Sequence, residues 1–237
     1  MKILIMAAGR GTRISRQIHG KPKCCVEFQG EPLIQKTLGL LKELQLGEIG
    51  IVTGYQSGEV LKNISNFQLA KFYNPFFDVT NSIASLWFAK DFLSTAEDLI
   101  IINGDLFIER ELMNFALEKN NPPVLMLADS TRIEDADYRF QWEDNILQKY
   151  GKKLSNEETT GEYVGIGRIS KKFMPKFITR MHEMINSQQS GNWWEDIVYS
   201  LVGSGVDINI TDTKGIFWAE VDYMEDFERI EQYLKSK

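Results

Sequence analysis

Cysteine and histidine are scarce in this sequence of 237 residues, which holds two of each. Cys24 and Cys25 are adjacent, so they are poorly placed to cross-link distant segments of a fold. Without a disulfide framework, a reducing, cytoplasmic location is expected. His19 and His182, with so few thiols, are too few to indicate a zinc site. These two histidines do not support a nucleophilic role for the thiols, for which a buried structural role is expected.

Long apolar runs are also missing. No stretch approaches the roughly 18 apolar residues that are needed to span a bilayer. The opening apolar run stops at Gly9-Arg10, short of the roughly 7–15 residues of a signal-peptide core. That run therefore predicts a buried strand, and no membrane partner is expected.

Basic residues are in deficit. Lys and Arg total 27 against 33 Asp and Glu, which gives a net charge of -6. A protein that binds nucleic acid over a broad surface is usually basic, so no nucleic-acid partner is expected. A local basic cluster remains compatible with a small polyanion. Hydrophobic residues at 43% and charged residues at 25% exclude disordered and coiled-coil classes and indicate a globular protein.

Short apolar runs alternate with helical patterns in the first half of the chain. Runs that end within two residues of a glycine predict buried parallel strands at 3–8, 49–53 and 99–102. Helices are predicted at 33–46, 81–93 and 110–119, the second N-capped by Thr80 or Asn81. This alternation predicts an α/β fold, a Rossmann-like three-layer sandwich with a mostly parallel central sheet. Ligands of such sheets bind beyond the carboxyl ends of the strands.

The alternation of predicted strands and helices becomes less regular after about residue 130. Segments 138–142 and 146–149 flank Glu143-Asp144-Asn145, which predicts a hairpin turn. Residues 193–202 predict a helix and residues 216–221 a strand. With no linker, repeat or low-complexity tract, we expect a single domain over residues 1–237.

The strongest functional signal directly follows the first predicted strand: Ala7-Ala8-Gly9-Arg10-Gly11-Thr12-Arg13. Two glycines and small alanines let the backbone approach a ligand, and successive N–H groups can surround phosphate oxygens. The spacing matches neither the Walker P-loop nor the dinucleotide fingerprint. Gly-x-Gly alone fits a tight strand-to-helix turn equally well.

A second motif, about ten residues later, sharpens this interpretation. Pro22 stiffens the approach of Lys23, so that this lysine could be held over the glycine loop as a fixed cation. Taken alone, Lys23 fits a surface residue as well. Gly30-Glu31-Pro32-Leu33-Ile34 then opens the first predicted helix.

Together these motifs resemble the nucleotidyltransferases that make nucleoside-diphosphate sugars and alcohols. Gly104-Asp105, the Glu162–Ile166 segment and Glu220-Val221-Asp222 follow in the order of that family. Thr80-Asn81-Ser82-Ile83-Ala84-Ser85-Leu86 resembles the helix start of bacterial choline-phosphate and aminoethylphosphonate cytidylyltransferases. The resemblance covers residues 1 to about 234. It implies an enzyme that joins CTP to an acceptor, a small phosphorylated alcohol or phosphonate, with release of pyrophosphate and with Mg²⁺ as the cofactor.

The resemblance also implies roles by position. It makes Arg13 and Lys23 the catalytic cations, and Asp105 and Asp222 the magnesium carboxylates. It places nucleotide contacts at Ala7, Ala8, Gly9, Arg10, Gly11, Thr12, Gly54, Tyr55, Asn81, Ser85 and Gly104. Residues 1–130 would form the nucleotide-binding core, 131–222 an acceptor-binding elaboration and 223–237 a closing helix. As turn or helix caps, both aspartates have an alternative structural interpretation.

Aromatic and acidic residues cluster in the second half of the chain, where an acceptor would bind. The predicted acceptor contacts are Glu162, Tyr163, Trp193, Trp194 and Glu195. A cationic head group could lie against aromatic faces with an acid behind it. Core packing is the alternative for each, but two consecutive tryptophans cannot both face one core stripe of a helix.

Three other functions stay open at this stage. One is a sugar-1-phosphate nucleotidyltransferase that uses another nucleoside triphosphate. Another is a non-catalytic nucleotide-binding module, although Arg13, Lys23, Asp105 and Asp222 are all present. The third is a glycosyltransferase, which more often shows Asp-x-Asp where this chain has Asn103-Gly104-Asp105. A homo-oligomer is also left open.

Overall fold

The structure is a computed structural model that describes residues 1–118 and 122–237. Its strands are β1 (Lys2–Ala7), β2 (Glu27–Phe28), β3 (Glu31–Pro32), β4 (Glu48–Thr53), β5 (Ala70–Tyr73), β6 (Leu99–Asn103), β7 (Leu106–Phe107), β8 (Val124–Asp129), β9 (Arg139–Glu143), β10 (Ile146–Gly151), β11 (Gly161–Ile169), β12 (Ile208–Asp212) and β13 (Ala219–Glu220). Its α-helices are α1 (Leu33–Leu44), α2 (Ser57–Asn63), α3 (Ser82–Phe88), α4 (Lys90–Ser94), α5 (Arg110–Ala116), α6 (Met174–Asn186), α7 (Glu195–Tyr199) and α8 (Met224–Lys235). A 3-10 turn spans Lys23–Cys25.

One sheet runs through the described residues in the order β5-β4-β1-β6-β11-β8-β12-β10-β9. Strands β5, β4, β1 and β6 are parallel, as are β8 and β12, whereas β11 is antiparallel to β6 and β8. The predicted Rossmann-like α/β fold is confirmed. The sheet is mixed because the β9–β10 hairpin joins β8 to β11 with no crossover helix, and a parallel pair needs such a crossover.

Side chains of β1 show how the sheet is buried on both faces. Successive side chains of a strand point to opposite faces. Ile3 and Ile5 pack in the same cluster as Leu38 of α1, whereas Leu4 packs in the cluster that contains Leu86 of α3. The helices therefore form layers on either side of the sheet, as in the predicted three-layer sandwich.

Several predicted elements have different bounds in the structure. The helix predicted at 81–93 divides into α3 and α4 at Ala89, whose ψ of 11° interrupts the helical backbone. The helix predicted at 193–202 contracts to α7, and the strand at 216–221 contracts to β13, which pairs with β7 outside the main sheet. The sequence interpretation missed β12. Lys119, the end of the helix predicted at 110–119, lies outside the described residues.

The predicted hairpin turn is confirmed between β9 and β10. Asp144 and Asn145 have φ values of 48° and 61°, and Glu143 pairs with Ile146 across them. Two left-handed residues in a two-residue loop match the right-handed twist of the flanking strands. These later strands join the same sheet as β1, while the division at residues 130 and 222 stays a prediction. Within residues 1–118 and 122–237, no helix is long and apolar enough to cross a bilayer.

Candidate active site

The carboxyl ends of β1, β4 and β6 meet at one rim of the sheet, as predicted. The Gly104 N–H donates to the Met6 carbonyl at 2.9 Å, and the Tyr55 N–H donates to the Ala8 carbonyl at 3.0 Å. A Cβ at Gly104 would lie 2.7 Å from the Met6 oxygen, and one at Gly54 would lie 2.6 Å from the Ala8 oxygen. Glycine is therefore required where these loops pack against the end of β1.

A cavity of about 600 Å³ opens at this rim. The predicted site residues that line it are Ala7, Ala8, Gly9, Arg10, Gly11, Thr12, Arg13, Lys23, Asn81, Ser85, Gly104, Asp105, Glu162, Tyr163, Trp193, Glu195 and Asp222. The structure thus brings together residues that are up to about two hundred positions apart in the chain.

Gly54, Tyr55 and Trp194 do not line the cavity. The Tyr55 hydroxyl donates to the Gly20 carbonyl at 3.0 Å, so this side chain supports the glycine loop from outside. Trp194 is fully buried, and its indole N–H donates to Asn103 Oδ1 at 3.2 Å. Trp193 has the opposite orientation, lines the cavity and is 39% exposed. The two tryptophans do face different environments, but Trp194 belongs to the core because its ring fills the space beside Gly167.

Lys23 lies directly over the glycine loop. Gly11 has a φ of +61°, and a Cβ there would lie 2.6 Å from the side-chain carbons of Lys23. Lys23 Nζ donates to Asp105 Oδ2 at 2.9 Å and also to Asp222, whose other oxygen accepts from Arg13. The four residues that the resemblance made catalytic or metal-binding therefore share one cleft.

Burial and neighbouring charges shift the pKa values of Lys23 and Glu220 in this cleft. Burial of Lys23 would lower its pKa, but Asp105 and Asp222 more than offset that effect and raise the pKa above its usual value. Burial raises the pKa of Glu220 well above normal, and the negative charges of Asp105 and Asp222 raise it further. Glu220 was not predicted as a site residue, although it stands two positions from Asp222.

The donor set at this point fits a magnesium ion. Mg²⁺ is usually held by one or two carboxylates and completes its shell with water and phosphate oxygens. Asp105 and Asp222 provide two carboxylates that converge on Lys23, and Glu220, whose pKa is raised by burial and by these two carboxylates, lies beside them. Among the described residues, no group of three or more His, Cys, Asp and Glu side chains could hold a metal on its own.

Two further charged residues of the cavity were missed at the sequence level. Lys152 Nζ donates to Asp137 Oδ2 at 2.8 Å, and Arg13 Nη1 lies 3.6 Å from the same oxygen. Lys152 Nζ also lies 5.6 Å from the centre of the Trp193 ring. Both residues lie in polar loops, where nothing in the local sequence distinguishes them from solvated charges.

An aromatic wall continues from Trp193. Tyr138 packs edge-on against Trp193 at 5.7 Å and stacks on Tyr199 at 5.5 Å. Behind this wall, Glu195 is 7% exposed and accepts a long hydrogen bond of 3.4 Å from Asn103 Nδ2. Burial raises the pKa of Glu195 to about 8. The carboxyl is therefore mostly protonated at neutral pH, and a bound cation would favour its ionised form.

Glu162 lines the cavity but is engaged within the protein. Its Oε1 accepts the Asp137 backbone N–H at 2.7 Å, and its Oε2 lies 2.9 Å from Arg132 Nε. The guanidinium of Arg132 in turn covers the Trp218 ring at 4.2 Å. These contacts fix the loop that carries Asp137.

Comparisons with known proteins identify a family and several similar proteins. The family described as the MobA-like NTP transferase domain matches residues 3–146. A CTP:phosphoglutamine cytidylyltransferase of Campylobacter jejuni is 25% identical over 96% of this chain and 98% of its own length. A choline-phosphate cytidylyltransferase of Streptococcus pneumoniae is 24% identical over the full length of both. A solved structure of CTP:phosphocholine cytidylyltransferase from Streptococcus pneumoniae shares the fold, with a TM-score of 0.82 over 98% of each chain at 19% identity.

Proposed function

The chain belongs to the MobA-like NTP transferase domain family, and on that premise we propose that it joins CTP to a small phosphorylated alcohol or phosphonate, releasing pyrophosphate. The observation that carries this proposal is the position of Lys23, above Gly11 and between Asp105 and Asp222. Relatives that match nearly the whole chain are named as cytidylyltransferases, which favours CTP over other nucleotides.

The order of strands in the sheet suggests how the substrates lie. Ser85 and Asn81 line the cavity from α3 and its N-cap, and α3 packs against β4 and β5, where we place the nucleobase. The glycine loop after β1 would bind the triphosphate. Tyr163 of β11 lies beyond β6 on the other side, where we place the acceptor. The reacting groups would then meet above β1 and β6, beside Lys23.

In the proposed reaction, an acceptor phosphate or phosphonate oxygen attacks the α-phosphorus of CTP. A new P–O bond forms as the bond to the β-phosphate oxygen breaks, and both electrons of that bond leave with pyrophosphate. Two anions must meet, so charge neutralisation by Lys23 and Arg13 should dominate the lowering of the barrier. Asp105 and Asp222 would hold Mg²⁺, which supplies Lewis-acid polarisation of phosphate oxygens when bound.

The acceptor side favours a cationic head group. Tyr138 and Trp193 present aromatic surface, which attracts a cation through the ring quadrupole. Glu195 lies behind them as a buried carboxyl without a positive partner in the contacts that the described residues show. An ammonium group at this point would provide that partner, so phosphocholine-like, phosphoethanolamine-like or aminoalkylphosphonate acceptors fit best.

A screen of pyrophosphate release tests this proposal. The four nucleoside triphosphates are each combined with phosphocholine, phosphoethanolamine, aminoethylphosphonate, phosphoglutamine, a polyol phosphate and sugar 1-phosphates. We expect turnover with CTP and an amine-bearing acceptor, lost on chelation of divalent ions. Turnover only with a sugar 1-phosphate and another nucleotide would establish the alternative transferase. Nucleotide binding without turnover would indicate a non-catalytic module.

A matched pair of variants links the activity to the cleft. Asp105→Asn should lower kcat/KM on the order of a hundredfold or more, because it removes one of the charges that organise the reacting centre. Asp91→Asn makes the same chemical change at an exposed position on α4 and should leave kcat/KM unchanged. Equal activity of both variants would remove Asp105 from the mechanism.

A further inference from the structure

Asn74 is completely buried and lies outside the cavity lining, yet it contacts two hydroxyl groups of the cavity wall. Its Oδ1 accepts the Phe76 backbone N–H at 2.9 Å. Its Nδ2 donates to Thr80 Oγ1 at 3.1 Å and to Ser85 Oγ at 3.0 Å. The backbone N–H of Asn74 donates to the Thr53 carbonyl at 2.9 Å, so the residue is anchored at the carboxyl end of β4.

The chemistry of these contacts fixes the orientation of the Asn74 amide. A backbone N–H can only donate, so the side-chain atom that faces Phe76 must be the carbonyl oxygen. The other end is therefore the NH₂ group, which cannot accept a hydrogen bond. The hydroxyl oxygens of Ser85 and Thr80 consequently accept from Asn74, and neither hydroxyl can donate a hydrogen bond to the Asn74 amide nitrogen.

The two hydroxyls differ in where their hydrogens go. Thr80 Oγ1 donates to the Phe76 carbonyl at 2.7 Å. In the parts of the chain that the structure describes, the Ser85 hydroxyl makes no hydrogen bond except the one it accepts from Asn74. Ser85 is buried and lines the cavity, so its spare hydrogen is available to a molecule bound there.

We propose that Asn74 is a positioning residue that makes the Ser85 hydroxyl a hydrogen-bond donor to an acceptor atom of the bound nucleobase, the O2 carbonyl of cytosine. This inference rests on the proposed function, because it assumes that CTP occupies the cavity. Ser85 lies on α3, which packs against β4 and β5, and it is hydrogen-bonded to Asn74 directly after β5.

Asn74→Asp tests the polarity directly. A carboxylate of the same shape accepts where the amide donated, so the Ser85 hydrogen would turn away from the base. The dissociation constant of CTP, measured by equilibrium dialysis without acceptor, should rise between about 2-fold and 13-fold, the range of one neutral hydrogen bond. Ser85→Ala should raise it by a similar factor. Both variants should also raise the KM for CTP by a similar factor, since loss of uniform binding acts on KM.

A double-mutant cycle distinguishes positioning from general damage. If Asn74 acts through Ser85, Asn74→Asp in the Ser85→Ala background should cause no further loss of CTP affinity. An equal loss in both backgrounds would overturn the proposal. As a control, Thr37→Val removes another buried helical hydroxyl, which donates to the Leu33 carbonyl at 3.1 Å outside the cavity. Its CTP affinity should match that of the unchanged protein.

An analogue keeps the proposal testable if Asn74→Asp fails to fold. 2-Thio-CTP replaces the O2 carbonyl with a weaker acceptor, so the unchanged protein should bind it several-fold more weakly than CTP. Ser85→Ala should bind both nucleotides equally. Equal binding of the two by the unchanged protein would overturn the inference while leaving the proposed function intact. Failure of the unchanged protein to bind CTP would instead overturn both.

Discussion

Replacing Lys23 by methionine should impair both catalysis and stability, because the side chain is the shared cation of Asp105 and Asp222. Its side chain is 13% exposed, and the two carboxylates are 25% and 16% exposed. Removing one partner of a buried ion pair costs about 3–5 kcal/mol. Since these carboxylates are partly exposed, we expect the lower end, about 3 kcal/mol, together with a loss of kcat/KM on the order of a hundredfold or more.

The pH dependence of this loss has a definite sign. Burial and the negative charges of Asp105 and Asp222 raise the pKa of Glu220 in the folded state, and Lys23 opposes that rise, so removal of the lysine should raise the Glu220 pKa further. Stability is then complete below the unfolded pKa and falls as the pH rises through the folded one. Urea unfolding of Lys23→Met should therefore show a larger deficit at pH 8 than at pH 5.

A neighbouring lysine provides the control. Lys21 donates to Glu27 at 3.1 Å, and both side chains are about half exposed. Lys21→Met should change the free energy of unfolding by less than about 1 kcal/mol, as expected for a surface pair. If Lys23→Met behaved like Lys21→Met in both unfolding and pyrophosphate release, the electrostatic account of the cleft would be refuted.

Three further predictions follow from the site and the core. Burial raises the Glu195 pKa to about 8 in the folded state, so this carboxyl destabilises the fold increasingly as the pH rises from about 4.5 through 8. The free energy of unfolding of Glu195→Gln, measured in urea, should therefore rise relative to that of the unchanged protein by a few kcal/mol across that range. Gly11→Ala should lower kcat/KM at least tenfold, because φ is +61° and a Cβ would displace the lysine side chain, whereas Gly39→Ala in open space on α1 should keep full activity. Trp193→Ala should raise the KM for the acceptor with little change in the KM for CTP. Trp194→Ala should lower the free energy of unfolding by about 3–5 kcal/mol, measured by calorimetry. The opposite pattern would contradict the assignment of Trp193 to the cavity and Trp194 to the core.

Local sequence was sufficient to predict the structure wherever neighbouring residues determine the backbone conformation. The glycine loop after β1, the Asp144-Asn145 turn and the Asn81 cap, whose Oδ1 accepts the Ser82 N–H at 2.8 Å, depend on turn chemistry and spacing. The family resemblance added the order of later motifs, so that Asp105 and Asp222 could be named before their distance from Lys23 was visible.

Residues without a local signal escaped the sequence interpretation. Asp137 and Lys152 stand among other polar residues, Asn74 stands beside Pro75 in an aromatic segment, and nothing near any of them indicates a contact with a cavity wall. Asn74 contacts the cavity wall because the tertiary fold places Ser85 of α3 beside it. Lys152 belongs to the cavity because its loop meets Asp137.

The residue types and their spacing along the chain therefore specified the α/β class and the glycine loop after β1, and the family resemblance named the charged residues of the candidate site. The assembled sheet alone decides which of two adjacent tryptophans faces the cavity, and that the carboxylates at 105 and 222 converge on one ammonium group. The physical reason is the sequence separation of the residues that make contact. Turns and helical faces arise from contacts a few residues apart, whereas Lys23 and Asp222 are separated by 199 positions and meet only when the whole sheet has formed.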